Sequence, residues 1–367
     1  MTIATAFNAT EISITPLDSD RLRNAKVAHV TRRLNLGKRG RFLLSGDIRP
    51  NPGDVVLARV VDINHHKRIE LVGGRKSILF PGDEVVVCYG ARYAPDQFGA
   101  EVPDDLGGCA LVAAGGLAAR VVTQHKRISS ATTLCPIGMI AETPERAVNV
   151  LDAALPHSDW PKSRPATLAV FGTTMNSGKT ASAAHLIKGL ARAGLNVGAA
   201  KVTGTAAGND TWLMHDAGAS IVLDFTDAGF CSTFRISLPD LERVATTLVH
   251  QLARTDVDVI VLEVADGLHQ VETRALLRSE RFRGLADGVL FAAQDACGAT
   301  SGASALRELG HNLCAVTGAI GAAPLAIQEA REETGEYVID ILDLADREVA
   351  LQLLGSAGRE RQTARAV

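Results

Sequence analysis

Phe171-Gly172-Thr173-Thr174-Met175-Asn176-Ser177-Gly178-Lys179-Thr180 lies between an apolar segment, residues 167–171, and a helix-forming run, residues 181–193. A buried strand, a glycine-bounded turn and a Gly-Lys-Thr that opens a helix together make a holder for polyphosphate. Inward-pointing backbone N–H groups cradle the phosphate oxygens at the positive end of the helix. Lys179 is placed to reach the β- and γ-phosphates, and Thr180 to offer its hydroxyl to Mg²⁺. The usual loop has four residues between its first Gly and Gly-Lys. Here five separate Gly172 from Gly178, so the loop is a longer variant. Gly172, Thr173, Asn176, Ser177, Gly178, Lys179, Thr180 and Ala181 form the candidate nucleotide-binding set.

Working outward, residues 166–345 alternate short apolar runs with helical patterns. That alternation predicts a mostly parallel sheet with helices on both faces, its ligand at the carboxyl ends of the strands. The expected strands are residues 167–171, 196–201, 220–224, 257–263, 288–293, 313–316 and 337–341. A phosphate loop needs a metal shell. Glu263 closes the apolar run Val259-Ile260-Val261-Leu262 and is the first candidate. Asp210, in the Gly208-Asn209-Asp210-Thr211 loop, is the second, and Thr180 completes the metal set. Lys201, at the exit of the second strand, is a second cation suited to an anionic acceptor. His215, His269 and Asp295 are further polar residues whose plainer reading is surface or loop.

Ahead of this half, residues 41–92 read as β, with Pro-Gly-Asp turns at 52–54 and 81–83 between β-branched runs. They suggest a small barrel. Residues 1–155 are expected to form a β-rich domain. Residues 142–155 read as a helix that starts at Thr143-Pro144. The Pro-rich stretch 156–165 reads as a linker, and residues 346–367 as a C-terminal helix or tail. The chain's 367 residues suit two domains. A net charge of −3 supplies no basic field, and strands 55–61 and 68–72 carry no stacking aromatics, which argues against a nucleic-acid partner. No apolar run has membrane length and the Met1 start shows no basic-then-apolar pattern, so the expected location is cytoplasmic. Six scattered cysteines without a Cys-x-x-Cys pair argue against a zinc cluster or a disulfide framework.

Residues 172–180 resemble the longer phosphate loop of dethiobiotin synthetase, which also has five residues before Gly-Lys-Thr. Lys201-Val202-Thr203-Gly204 is similar to that family's substrate- and phosphate-contacting lysine segment. Leu262-Glu263-Val264-Ala265-Asp266-Gly267 is similar to its Glu-Gly-Ala-Gly-Gly metal segment, and Asp210 falls where it has a Mg²⁺-binding aspartate. The run Gly208 to Ala219 resembles the molybdopterin-guanine dinucleotide biosynthesis adaptor protein. Both belong to the SIMIBI class of P-loop NTPases. The resemblance implies Mg²⁺ and ATP, with GTP not excluded, a homodimer, and catalysis by Lys179 and Lys201. It also implies γ-phosphoryl transfer to a small carboxylate or carbamate, as in a kinase or ligase. The adaptor-like run implies instead a nucleotide-switched NTPase that assembles a cofactor or regulates a partner. The chain departs from the pattern at Val264-Ala265-Asp266, where the family has small glycines, and at Thr317-Gly318, in place of its base-reading Asn segment.

Overall fold

The computed structural model describes residues 12–157 and 164–365, with side chains of the last helix described as far as Gly358. Six residues of the expected linker, 158–163, lie outside the described set. The chain is mixed α/β and divides into two compact units. One comprises Met1–Ala154 with the short stretches Thr205–Ala207 and Gly229–Ser232; the other holds the rest. Among the described residues no helix is long and apolar enough to cross a membrane.

In the first unit five strands close into a ring. Val55–Asp62 pairs with Glu84–Tyr89, which pairs with Leu117–Gln124, then Cys109–Ala113, then Thr132–Thr143, and so back to Val55–Asp62. All of these pairings are antiparallel except Leu117–Gln124 on Glu84–Tyr89. Closure leaves these strands without free edges. Val55, Val56, Leu57, Val85, Val86 and Val87 are fully buried, so mostly β-branched side chains fill the wall. The ring takes only two strands from residues 41–92, the stretch expected to form the barrel, and three from 109–143. Arg68–Glu70 and Lys76–Ile78 form a separate hairpin.

The helix expected over 142–155 does not form. The strand Thr132–Thr143 turns at Pro144-Glu145, and Arg146–Ala147 pairs back onto it. A single 3₁₀ turn, Val150–Ala153, follows under an Asn149 cap. Pro144 has the fixed φ that suits a turn as well as a helix start. The burial of Val148 and Val150, and the bond from Val148 N to Ile140 O, favour the hairpin.

The second unit carries a six-stranded, all-parallel sheet in the order Ile221–Asp224, Val197–Lys201, Val259–Glu263, Ala166–Gly172, Gly288–Ala292, Leu313–Thr317. Residues alternate across it. Leu168, Val170, Val259, Val261 and Leu290 meet Leu186, Ile187 and Leu190 of the helix Lys179–Arg192. On the other face Phe171 stands edge-on to Phe282. Gly302 of the helix Ala296–Glu308 lies so close to Phe291 that a Cβ would come within 1.9 Å of the ring. Helices therefore cover both faces. The helix Arg347–Arg365 puts Ala350, Leu353 and Ala357 into this core, so residues 346–358 are packed structure and not a loose tail. Residues 337–341 make no strand. They contribute one bridge, Val338 to Val316, before the 3₁₀ turn Leu342–Ala345 ends the extended segment. At the far end of the expected linker, Arg164 is already fixed by Nη1 and Nη2 bonds of 2.6 and 3.0 Å to Asp287.

Candidate functional site

The central strand Ala166–Gly172 runs into the loop 173–178, and the loop into the fourteen-residue helix Lys179–Arg192. Gly172 and Gly178 are glycines for steric reasons. A Cβ on Gly172 would sit 2.3 Å from Ser177 Oγ and 2.8 Å from Ala292 O. Gly178, the helix N-cap, has φ +98°, which L side chains avoid. Asn176 adopts φ +66° without being glycine. Neighbouring strand exits pin the loop. Thr173 N donates to Ala292 O at 2.9 Å, Leu268 N to Gly172 O at 3.1 Å, and Ala319 N to Ser177 O at 2.9 Å.

Lys179 folds back over the loop it follows. Its Nζ donates to Thr174 O at 2.7 Å and lies 3.5 Å from Ser177 Oγ. Burial pushes its pKa down to about 8, against the pull of Glu263 and Asp266. An ammonium held this way, by one loop carbonyl and partly stripped of water, gains from the arrival of an anion.

Thr180 Oγ1 donates to Glu263 Oε1 at 2.8 Å. Glu263 ends the strand Val259–Glu263, beside Val170 on one side and Lys201 on the other. It is 1% exposed, and its second oxygen, Oε2, is buried without a hydrogen-bond partner. Lys201 is ion-paired with Asp210 and has its Nζ 3.9 Å from Glu263 Oε1. The structure thus brings Lys179, Thr180, Glu263, Lys201 and Asp210 into one neighbourhood. The fit to Mg²⁺ rests on Glu263 Oε2. A buried carboxylate oxygen with nothing to accept, next to a hydroxyl, is a hard-oxygen site for a divalent cation. Among the described residues no group of three or more His, Cys, Asp or Glu side chains forms a metal cage. Mg²⁺ needs none, because one or two carboxylates plus substrate phosphates suffice for it.

Other sequence candidates play plainer parts. Asp295 caps the helix Ala296–Glu308, accepting from Gly298 N at 2.7 Å. His215 is exposed in the last turn of Asn209–Ala217, beside Trp212, and His269 is exposed. Ala181 lies in the first turn of its helix, where its carbonyl is 2.9 Å from His185 Nδ1. The structure adds Asp266 and Gly267. A Cβ on Gly267 would stand 2.3 Å from Thr173 O, so this strand exit presses on the phosphate loop. An Asp-Gly pair three and four residues beyond Glu263 is the sequence signal for it.

No protein-family model matches the chain, and no curated protein matches it. Among solved structures it is similar to the signal recognition particle receptor FtsY from Elizabethkingia anophelis, with 16% identity, 57% of this chain and 74% of that chain covered, and a TM-score of 0.38. It is also similar to the cell division protein FtsY from Thermotoga maritima, with 20% identity, 56% and 74% covered, and a TM-score of 0.35. The signal recognition particle 54 kDa protein from Aeropyrum pernix, in complex with GDP, gives 20% identity, 56% and 50% covered, and 0.34. Likeness at this level carries no argument about function.

Proposed function

We propose that this chain is a Mg²⁺-dependent nucleoside triphosphatase of the SIMIBI class, and that its bound nucleotide acts as a switch. The observation that carries this reading is Thr180 bonded to the buried Glu263, whose Oε2 is unpartnered, beside the Lys179 loop. Thr180 and Glu263 would hold Mg²⁺, with Asp210 within reach through Lys201. The ion would supply charge neutralisation on the phosphates. Lys179 would exchange Thr174 O for β- and γ-phosphate oxygens. The loop N–H groups and the helix N-terminus would hold the remaining charge.

Transfer to a carboxylate acceptor, as in a kinase or ligase, is the second reading, and Lys201 was its cation. That ammonium is already met by Asp210 and approached by Glu263, which favours hydrolysis over capture of a separate anion. The test is phosphate release from ATP and from GTP, run in parallel, with Mg²⁺ and with EDTA. Slow Mg²⁺-dependent release that added carboxylates leave unchanged supports the switch. Release that rises severalfold with a carboxylate moves the assignment to the acceptor reading. The class also implies a homodimer, which the mass by light scattering checks.

A further inference from the structure

We propose that Asp266 is the general base of this site, accepting the proton of the water that attacks the γ-phosphorus. The inference rests on the triphosphatase reading and deepens it.

Of five acidic side chains in this region, four are occupied. Asp295 accepts from Gly298 N at 2.7 Å. Glu263 accepts from Thr180, and Asp210 holds Lys201. Glu272 accepts from Arg235 N at 2.6 Å and from Gln270. Among the described residues the Asp266 carboxylate has no hydrogen-bond or ion-pair partner, although it is half-buried. Its backbone is held in place at a cost. Asp266 has φ +66°, one of three non-glycine residues with positive φ among the described residues, and another of these, Asn176, lies in the phosphate loop itself. Left-handed side-chain-bearing residues persist where the surrounding structure dictates them, and they gather at working sites. The dictating contact is the next residue. Gly267 packs against Thr173 and Thr174, where a Cβ would come within 2.3 Å of Thr173 O and 2.8 Å of Thr174 Cα. The chain therefore anchors Asp266 one residue from the loop that cradles phosphate, and leaves its carboxylate unengaged.

The charges around it suit the role. Lys179 and Lys201 pull its pKa down, Glu272 and Glu263 push it up, and burial, the largest influence, leaves it raised to about 6. A base poised there is ionised at neutral pH and still binds a proton readily. The step balances. An O–H bond of water breaks, and its proton passes to an Asp266 oxygen. The water oxygen bonds to the γ-phosphorus. The bond from that phosphorus to the bridging oxygen breaks, and its electron pair leaves with the nucleoside diphosphate. Asp266 then returns the proton to solvent. A carboxylate acceptor has no proton to give up, so a base at this position fits water and not a carboxylate.

The experiment compares wild type, Asp266→Asn and Asp266→Gly in single-turnover hydrolysis of ATP and GTP between pH 5 and 9, beside the Kd of a fluorescent nucleotide analogue. Asn tolerates the left-handed backbone and Gly relieves it, so both variants keep the fold. The expected result is a loss of roughly 10²–10⁴ in rate for both variants, with Kd changed less than about threefold. The wild-type rate should fall below about pH 6, and that acid limb should be missing in Asp266→Asn. Hydrolysis by Asp266→Asn within about threefold of wild type overturns the role. So does a rate loss that nucleotide saturation restores, which would make Asp266 a binding residue. If wild type binds no nucleotide, the triphosphatase reading falls, and the base with it.

Discussion

The barrel unit and the parallel-sheet unit treat left-handed backbone differently. Among the described residues the barrel unit has only glycines at positive φ, Gly46, Gly53, Gly74, Gly82, Gly116 and Gly229, whereas the parallel-sheet unit also places Asn176, Arg235 and Asp266 there. Two buried carboxylates, one from each unit, show a second difference. Asp54 of the barrel unit is 5% exposed and accepts from Asn51 N at 2.7 Å, from Asn51 Nδ2 at 3.3 Å and from Asn149 Nδ2 at 2.9 Å. Glu263, more deeply buried, keeps one oxygen without a partner. The barrel unit keeps its left-handed positions to glycine and surrounds Asp54 with donors; the parallel-sheet unit puts three side-chain-bearing residues there and leaves Glu263 Oε2 without a hydrogen-bond partner. Sites built to receive a ligand are left short of stability in this way.

Three substitutions sharpen or break the contrast. The largest effect is expected from Glu263→Gln, which should cut Mg²⁺-dependent hydrolysis by at least about 10² without lowering the melting temperature. A clear drop in melting temperature would mean that Glu263 is structural after all. Next comes Asp54→Ala, which strands the amide donors of Asn51 and Asn149 and should cost about 2–3 kcal/mol in urea unfolding. An unchanged midpoint would erase the difference between the two carboxylates.

The smallest effect is a pH dependence of stability. Because the folded pKa of Asp266 is raised to about 6, above an ordinary aspartate, the protonated form is favoured in the fold. Wild type therefore loses stability as pH rises through about 6. Asp266→Asn, which cannot ionise, should match it at pH 4 and exceed it by about 1–2 kcal/mol at pH 8. A gain confined to acid pH would contradict the sign.

The strand, loop and helix of the candidate phosphate site are legible in sequence because their information is local. Strand, loop and helix follow one another between residues 166 and 192, and Glu263 announces itself at the end of an apolar run. The barrel is legible only as short strands and turns. Its closure depends on pairings far apart in the chain, such as Thr133 with Asp62 and Leu117 with Cys88, which no local pattern encodes. The same cause explains the missing helix at 142–155. Thr143-Pro144 fits a helix start and a hairpin turn equally, and the buried partners on Thr132–Thr143 decide it. Asp266 shows the limit within the site. Its sequence context reads as an exchange of small glycines, and only the φ of +66° and the press of Gly267 on Thr173 reveal a placed carboxylate.

The most direct test of the central claim is nucleotide binding and Mg²⁺-dependent phosphate release by wild type and Lys179→Ala, each checked for an intact fold by circular dichroism. The account predicts that wild type binds nucleotide and releases phosphate, while Lys179→Ala keeps its melting temperature and does neither above background. Lys179→Ala turning over at the wild-type rate would contradict the assignment of residues 172–180 as a phosphate site.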